Sequence, residues 1–460
     1  MQGDTIAAIG SALSASGIGI IRISGPSARA VLKKVYRGKD SNKNIAKAPS
    51  HTIHYGFIYD GEQMVDEVLV MLMDGPKSYT GEDTVEIDCH GGVISMSAVL
   101  KVVIENGARI AEPGEFTKRA FLNGRIDLSQ AEAVSDIINA KSEYALQSSV
   151  SQLKGSVQKT IQDIRAKILY HIAYIESALD DPEHISLDGY SDELKSVVIE
   201  EKVKVDKLIA SAGEGKMIRE GVKTVIVGKP NAGKSSLLNV LIGEDRAIVT
   251  DVEGTTRDVL EETIILQEIP LLITDTAGIR ETKDIVEKIG VEKTREHAKK
   301  ADLILYMVDA SVPLDENDED IIALIKEEDK KTIILLNKTD LEAVVTEVEL
   351  KAKCDLPVIS ISAKSGVGIE ELEQQIKEMF FKGKISFNDE VYITNMRHKE
   401  ALAEATKSLG MVGLSIDTGL AEDFYSIDLM DAYQSLGRIT GETASEDLVN
   451  EIFSKFCTGK

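Results

Sequence analysis

The spacing of apolar residues changes character along this chain. From residue 1 to about 118, short β-branched runs are broken by polar turns. Gly19-Ile-Ile-Arg-Ile-Ser-Gly25, Glu67-Val-Leu-Val-Met-Leu-Met73 and Thr84-Val-Glu-Ile-Asp-Cys89 predict strands, and Ser95 to Ile104 predicts a helix. From Ser129 the period becomes three and four: Val134, Ile137, Ile138, Leu146, Val150, Leu153, Val157, Ile161, Ile164, Ile168, Ile172, Ile175 and Leu179 form one apolar stripe. That spacing predicts long helices, opened by a capping box at Ser129-x-x-Glu132 and stopped by Asp180-Asp-Pro182. A further helix is expected from about Asp192 to Ala212, with Gly213-Glu-Gly215 leading out of it. Strands and helices then alternate to about Phe381, and the chain turns helical again after Gly383, ending with Glu446 to Phe456. Helices on both sides of an inserted α/β segment predict that the flanks pack together.

The inserted segment carries the clearest chemistry. Gly228-Lys-Pro-Asn-Ala-Gly-Lys-Ser235 follows the run Thr224-Val-Ile-Val227 and opens into Ser236-Leu-Leu-Asn-Val-Leu241. Strand, glycine loop and helix in that order make G-x-x-x-x-G-K-S a phosphate cradle, because backbone N–H groups and a helix N-terminus can face a polyphosphate. Lys234 would reach the β- and γ-phosphates and Ser235 would give its hydroxyl to Mg2+. Leu271-Leu-Ile-Thr-Asp275-Thr-Ala-Gly278 ends a strand in D-x-x-G, and Ile333-Ile-Leu-Leu-Asn337-Lys-Thr-Asp340 ends another in N-K-x-D. A carboxylate at Asp340 can accept from the N1–H and exocyclic amine of guanine, a pairing adenine cannot offer. Val358-Ile-Ser-Ile-Ser362-Ala-Lys364 ends the last strand beside the base. The nucleotide expected is therefore GTP.

Candidate GTP contacts are Asn231, Ala232, Gly233, Lys234, Ser235 and Ser236 in the loop and Asp275, Thr276, Ala277 and Gly278 after the D-x-x-G strand. Asn337, Lys338, Thr339, Asp340, Ser362, Ala363 and Lys364 would hold the base. Thr250, Asp251, Val252, Glu253, Gly254, Thr255 and Thr256 form the expected switch segment, where Thr256 could add its hydroxyl to the Mg2+ shell. Ile279 stands where Ras-like GTPases carry the Gln that orients the attacking water, so another group must do so.

Composition narrows the setting. At 460 residues the chain exceeds a single core. A net charge of −24 argues against an independent nucleic-acid binder, since phosphate contacts need a basic surface. Cys89, Cys354 and Cys457 are far apart with no C-x-x-C, so neither zinc nor a disulfide framework is indicated. Cys457 reads as a small buried packing residue rather than a nucleophile, and Cys457-Thr-Gly-Lys460 lacks the aliphatic pair of a prenylation box. The Gly17-Ile-Gly19 pair is not a dinucleotide loop, because Arg22 takes the third glycine position. The acidic, His-containing loop of Asp180, Asp181, Glu183, His184 and Asp188 fits no metal-ligand spacing. MQGDTIAAIG is not a signal peptide, and no segment approaches the ~20 apolar residues of a membrane span, so a soluble cytoplasmic protein is expected.

GKPNAGKSS, IVTDVEGTTRD, DTAGIRETKDIVEKIG and NKTD together resemble the tRNA modification GTPase MnmE (TrmE) family, and the resemblance runs from Asp4 to Cys457-Thr-Gly-Lys460. It implies a multidomain α/β protein: an α+β folate-binding-like N-terminal domain at 1–118, a discontinuous helical domain at 119–216 and 383–460, and an inserted Ras-like P-loop GTPase domain at 217–382. It implies that Glu287, in D-I-V-E-K-I-G, positions the water as the catalytic residue. K+ would replace an arginine finger, held by Asn231, Thr250, Val252 and Thr255. It implies a second site for 5-formyltetrahydrofolate or a related tetrahydrofolate at Arg22, Glu86, Arg125 and Lys460. The chemistry agrees, since cations suit a glutamate tail and a carboxylate suits a pterin edge. Arg125 stands where the family often has Lys, and Thr458 replaces a usual aliphatic residue. The implied assembly is a homodimer, joined by an MnmG-like FAD protein into a heterotetramer that meets tRNA mainly through the complex. The implied reaction adds a carboxymethylaminomethyl or aminomethyl group to C5 of wobble uridine 34, with GTP hydrolysis as a conformational switch. The alternative class is a non-modifying switch such as a ribosome-assembly GTPase, against which the acidic balance and the folate-like N-terminal segment count.

Overall fold

The computed structural model describes residues 3–39, 44–243, 262–266, 269–274, 295–381 and 391–459. Two compact units separate in it: Met1–Ser135 with Gln152–Ile199 and Glu404–Lys460, and Asp136–Ser151 with Glu200–Ala403.

The first unit is built on strands β1 (Ile6–Ile9), β2 (Gly19–Ser24), β3 (Tyr36–Gly38), β4 (Thr52–Asp60), β5 (Gln63–Met73), β6 (Thr84–Cys89) and β7 (Arg109–Ile110). They lie in the order β3-β4-β5-β6-β2-β1-β7, antiparallel except for the β1–β7 pair. Period-two alternation decides the two faces. Ile21, Ile23, Val85, Ile87 and Cys89 point inward against helices Ala28–Val35 and Val93–Glu105, which add Val31, Leu32, Val99 and Val103. The opposite face carries Arg22 on β2, paired across the strands with Glu86 on β6, and Asp88 two residues further along β6. Half-covered antiparallel sheets commonly have this division.

Around the sheet the chain is helical, and three expectations shift. The capping box of helix Leu128–Ile138 is not Ser129–Glu132 but Asp127–Gln130. Asp127 Oδ1 accepts the Gln130 N–H at 2.8 Å while Gln130 Oε1 accepts the Asp127 N–H at 3.0 Å. Leu128 must be the first helical residue because it is buried with Ala120, Ala131 and Phe453, and Ser129, itself buried, donates to Asp127 Oδ1 at 2.8 Å. The stripe from Val134 to Leu179 runs through separate helices, Leu128–Ile138, Glu143–Leu153 and Ser156–Asp180, with Gly155 at φ +92° before the last. Finally, the helix expected to end at Ala212 runs from Tyr190 to Glu220, straight through Gly213 and Gly215. Gly215 is there for contact: a Cβ would stand 2.3 Å from the Ile393 carbonyl oxygen. Helices Ser156–Asp180 and Glu422–Thr440 pack on each other, so segments far apart in sequence share one layer. Buried Arg165 lies across that seam, its guanidinium carbon 4.0 Å from the Tyr433 ring centre and ion-paired with Glu442.

The second unit holds a sheet in the order β13-β12-β11-β8-β10-β9. Its strands are β8 (Val222–Gly228), β9 (Glu262–Leu266), β10 (Ile269–Thr274), β11 (Leu303–Asp309), β12 (Lys331–Asn337) and β13 (Val358–Ser360), parallel except for β9 against β10. Both faces are covered, which is why the strands read as continuous apolar runs. On β11, Leu303, Leu305 and Met307 enter one core while Ile304, Tyr306 and Val308 enter the other. Helices Lys234–Ile242, Glu316–Glu328, Glu347–Lys353 and Ile369–Phe381 belong to this unit. The carboxyl ends of β8, β11 and β12 bring Gly228, Asp309 and Asn337 to one edge, the place where doubly covered sheets bind ligands.

Because Asp127 supplies the cap, Asp127→Ala should destabilise the chain by about 1 kcal/mol. In urea unfolding of the full chain, Asp127→Asn, which keeps a side-chain acceptor at the cap, should lose less than Asp127→Ala.

Candidate functional site

The phosphate loop joins β8 to helix Lys234–Ile242. Gly228 turns at φ +152° beneath β11, where a Cβ would meet the Met307 carbonyl at 2.5 Å. Asn231 adopts φ +63° and Gly233 φ +103°, so the loop needs left-handed backbone at both. Asn231 thus serves as a turn residue, with its side chain exposed. Lys234 folds its ammonium back over the loop, donating to the Gly228 carbonyl at 2.6 Å and the Lys229 carbonyl at 2.8 Å. Burial holds its pKa below the ordinary lysine value. A polyphosphate in the loop would supply a counter-charge to this buried ammonium. Ser235 and Ser236 stand in the first turn of the helix, where a hydroxyl can reach a phosphate-bound cation.

Asn337, at the end of β12 and 2% exposed, ties the loop to the base site. Its Nδ2 donates to the Ala232 carbonyl at 2.7 Å and its Oδ1 accepts the Ala363 N–H at 2.9 Å. Lys338 turns at φ +66° and pairs with Asp309. Burial alone would raise the Asp309 carboxyl, but hydrogen bonds from Lys338 and Ser311 outweigh it and lower its pKa. Thr339 Oγ1 donates to the Ile361 carbonyl at 3.0 Å, and Ser362 Oγ donates to Asp340 Oδ1 at 2.9 Å. That bond orients an exposed carboxylate without burying it, as recognition of a base edge requires. Lys364 is exposed on the loop that follows. Loop, N-K-x-D and S-A-K segments are therefore one connected site. Thr250, Asp251, Val252, Glu253, Gly254, Thr255, Thr256, Asp275, Thr276, Ala277, Gly278, Ile279, Glu287 and Lys460 lie outside the described residues.

One support of this site was not read from the sequence. Lys229 Nζ reaches Asp318 Oδ2 at 2.6 Å and Asp315 Oδ2 at 3.0 Å, the two residues that form the capping box of helix Glu316–Glu328. Tyr306 on β11 donates its hydroxyl to Asp318 Oδ1 at 2.9 Å. The second residue of the phosphate loop is thereby anchored to a neighbouring helix and strand.

The first unit brings Arg22, Glu86 and Arg125 to one place. Arg22 Nε donates to Glu86 Oε1 at 2.7 Å and Nη1 to the Gly459 carbonyl at 3.1 Å, which sets the chain's end against β2. Tyr79 is the hub that sequence reading missed. Its ring centre lies 5.5 Å from the Arg22 guanidinium carbon and 4.9 Å from that of Arg125, and the Phe116 ring lies 5.6 Å from Arg22. Tyr79 sits in a loop with no periodic signal, held by neighbours: Thr80 and Glu82 bond Ser24, and Glu82 pairs with buried Arg119. Asp88 was legible in principle, since alternation places it on the Glu86 face. Cys457 is a correction: it is exposed, while Cys89 and Cys354 are buried. Phe453 and Phe456 fill the buried positions there, leaving Cys457 to pass outside with its carbonyl accepting the Gly114 N–H at 3.2 Å. Burial, then the Asp66 charge, pushes the Cys89 thiol up to about 11.

A doubly covered sheet with a glycine loop on its central strand and a guanine-specific strand end defines a P-loop GTPase. Family models match in two blocks: GTP-binding protein TrmE N-terminus over residues 5–125 and MnmE helical domain over residues 128–457. The tRNA modification GTPase MnmE of Lachnoclostridium phytofermentans is 56% identical over 460 residues, with 100% of each chain covered. That of Clostridioides difficile is 49% identical over 462 residues, with 99% of each covered. Among solved structures, Aquifex aeolicus Era bound to GDP and aluminium fluoride matches at 30% identity and a TM-score of 0.28, covering 42% of this chain and 67% of that one. The chain belongs to the MnmE family of tRNA modification GTPases.

Two substitutions test the connected site. Asn337→Ala leaves buried partners unpaired, a loss of about 1–3 kcal/mol, so GDP affinity measured with a fluorescent analogue should fall by roughly 5- to 150-fold. Gly233→Ala should fall at least as far with Lys234 and Ser235 intact, because its Cβ would stand 2.2 Å from Asn337 Nδ2 at φ +103°.

Proposed function

We propose that this chain is a K+-activated GTPase which, with an MnmG-like FAD-dependent partner, adds a carboxymethylaminomethyl or aminomethyl group to C5 of wobble uridine 34. The one-carbon unit would come from a tetrahydrofolate held at Arg22, Glu86, Arg125 and Lys460, and FAD would belong to the partner. Domains at 1–118, 119–216 with 383–460, and 217–382 divide these tasks. The observation that carries the reading is that one chain joins a guanine site locked by Asn337 to a second cluster, Arg22, Glu86 and Arg125 around Tyr79. Two cations and a carboxylate beside aromatic rings suit an acidic tail and a heteroaromatic ring in one ligand.

At the GTP site, Ser235 and Thr256 would hold Mg2+, which neutralises phosphate charge. Asn231, Thr250, Val252 and Thr255 would hold K+, placing a positive charge where an arginine finger otherwise acts. Glu287 would orient the water that Ile279 cannot. Homodimerisation would order the switch segment around K+, and hydrolysis would release it. The charge of −24 supports meeting tRNA through a partner rather than alone. A cytoplasmic setting is consistent with the described helices, none of which is long and apolar enough to cross a membrane.

Single-turnover hydrolysis tests this. Wild type should be roughly tenfold or more faster in KCl than in NaCl, and Glu287→Ala should lose most of the KCl rate. Equal rates in both salts, or an undiminished variant, would remove the cation and Glu287 roles. An unchanged wobble-nucleoside profile by mass spectrometry of a deletion strain would overturn the modification role.

A further inference from the structure

We propose that Asp88 is a ligand-binding carboxylate of the N-terminal pocket, the free acceptor that receives the N–H donors of a reduced pterin edge. This rests on the folate reading above and assigns part of that ligand to a residue outside the four named there.

Glu86 and Asp88 are two residues apart on β6 and share the face opposite the helix-covered core. Their circumstances differ. Glu86 accepts from Arg22 Nε at 2.7 Å, and both side chains of that pair are 14% exposed. Asp88 lies across from Ile20 on β2 and Leu69 on β5, neither of which can donate from its side chain. Its Oδ1 is buried and has no hydrogen-bond partner among the described residues. Burying a carboxylate oxygen without a donor is unfavourable, so the fold gains nothing by keeping it there. A donor from outside the chain would relieve the burial.

The pocket indicates which donor. Arg22 and Arg125 flank the Tyr79 ring and offer only N–H donors, matched to carboxylates and carbonyls. The amino-pyrimidine edge of a pterin presents side-by-side N–H groups and needs an acceptor with two oxygens. Glu86 would have to yield Arg22 to offer both oxygens, whereas Asp88 Oδ1 has no partner among the described residues to yield. The arrangement divides the ligand: pterin edge to Asp88, acidic tail to the arginines.

Protonation gives a second reading of the same contact. Burial, then the Glu86 charge, holds the Asp88 carboxyl above its ordinary range. The charged groups on this face include Glu86 on its own strand, Arg22 on β2, already paired with Glu86, Glu67 on β5, which accepts the Tyr55 hydroxyl at 2.5 Å, Lys39 beside the Tyr55 ring, and Arg37 on β3, paired with Glu62. N–H donors favour the ionised carboxylate, so its pKa falls on binding and a proton leaves. Affinity is then full above the raised pKa and declines as the pH falls through it.

The test is isothermal titration of the full-length chain with 5-formyltetrahydrofolate, comparing wild type, Asp88→Asn, Asp88→Ala and Glu86→Gln, with thermal melting of each. Asp88→Asn should weaken binding roughly tenfold or more while melting no lower than wild type, since it removes a buried unpaired charge. Wild type titrated at a series of acidic pH values in two buffers of different ionisation enthalpy should show proton release that grows as the pH falls toward the raised pKa and that Asp88→Asn lacks. If wild type binds and Glu86→Gln weakens it, but both Asp88 variants bind like wild type, this inference falls and the folate reading stands. If wild type does not bind, the folate reading itself falls.

Discussion

The nucleotide site depends on one buried amide. Asn337 ends a strand covered on both faces, where any polar group must find a partner. It finds two, the Ala232 carbonyl and the Ala363 N–H, and so ties together loops that follow three different strands. The glycine at 233 is the condition for that approach, because a side chain there would occupy the amide's place. Lys338 then turns through left-handed backbone to Asp309, which leaves Asp340 outside the sheet and oriented by Ser362. Packing of the parallel sheet, shape of the phosphate loop and presentation of the guanine-reading carboxylate are thus one set of constraints.

The N-terminal sheet works by the opposite logic. Helices cover one face, while the other buries Ile6 and Ala8 against Ala111 and Phe116 and keeps Arg22, Glu86 and Asp88 at intermediate exposure. Arg22 is fixed there by Glu86, by the Gly459 carbonyl and by two aromatic rings. The loop carrying Tyr79 is positioned by Arg119, whose guanidinium meets Asp4, Glu82 and Glu115. Breaking one partner of such a buried network leaves the others uncompensated, so the rigidity of the pocket comes from charges that never touch a ligand.

The differences between expectation and structure share a cause. Ser129-x-x-Glu132 has the right spacing for a cap, but Asp127 wins because Leu128 is required in the aromatic cluster below it. Gly213 and Gly215 look like the end of a helix, yet the helix continues because the backbone near Ile393 presses against Gly215. Cys457 looks like a packing residue until Phe453 and Phe456 take the space. Each time, a local preference of about 1 kcal/mol yields to packing between distant segments, of aromatic and aliphatic side chains at the cap and the C-terminus and of backbone against backbone at Gly215.

The order of residues alone determined the strands, the apolar stripe, the phosphate loop and the preference for guanine. These follow from spacing within a few residues, where alternation and backbone chemistry act without distant partners. Only the folded chain decided that Asn337 joins three loops, that Lys229 is held by Asp315 and Asp318, that Tyr79 lies between two arginines, and that Asp88 keeps a buried oxygen with no partner among the described residues while Glu86 meets Arg22. Those are contacts between segments tens to hundreds of residues apart. Their geometry is set by how sheets and helices bury their apolar faces, and no local pattern encodes that.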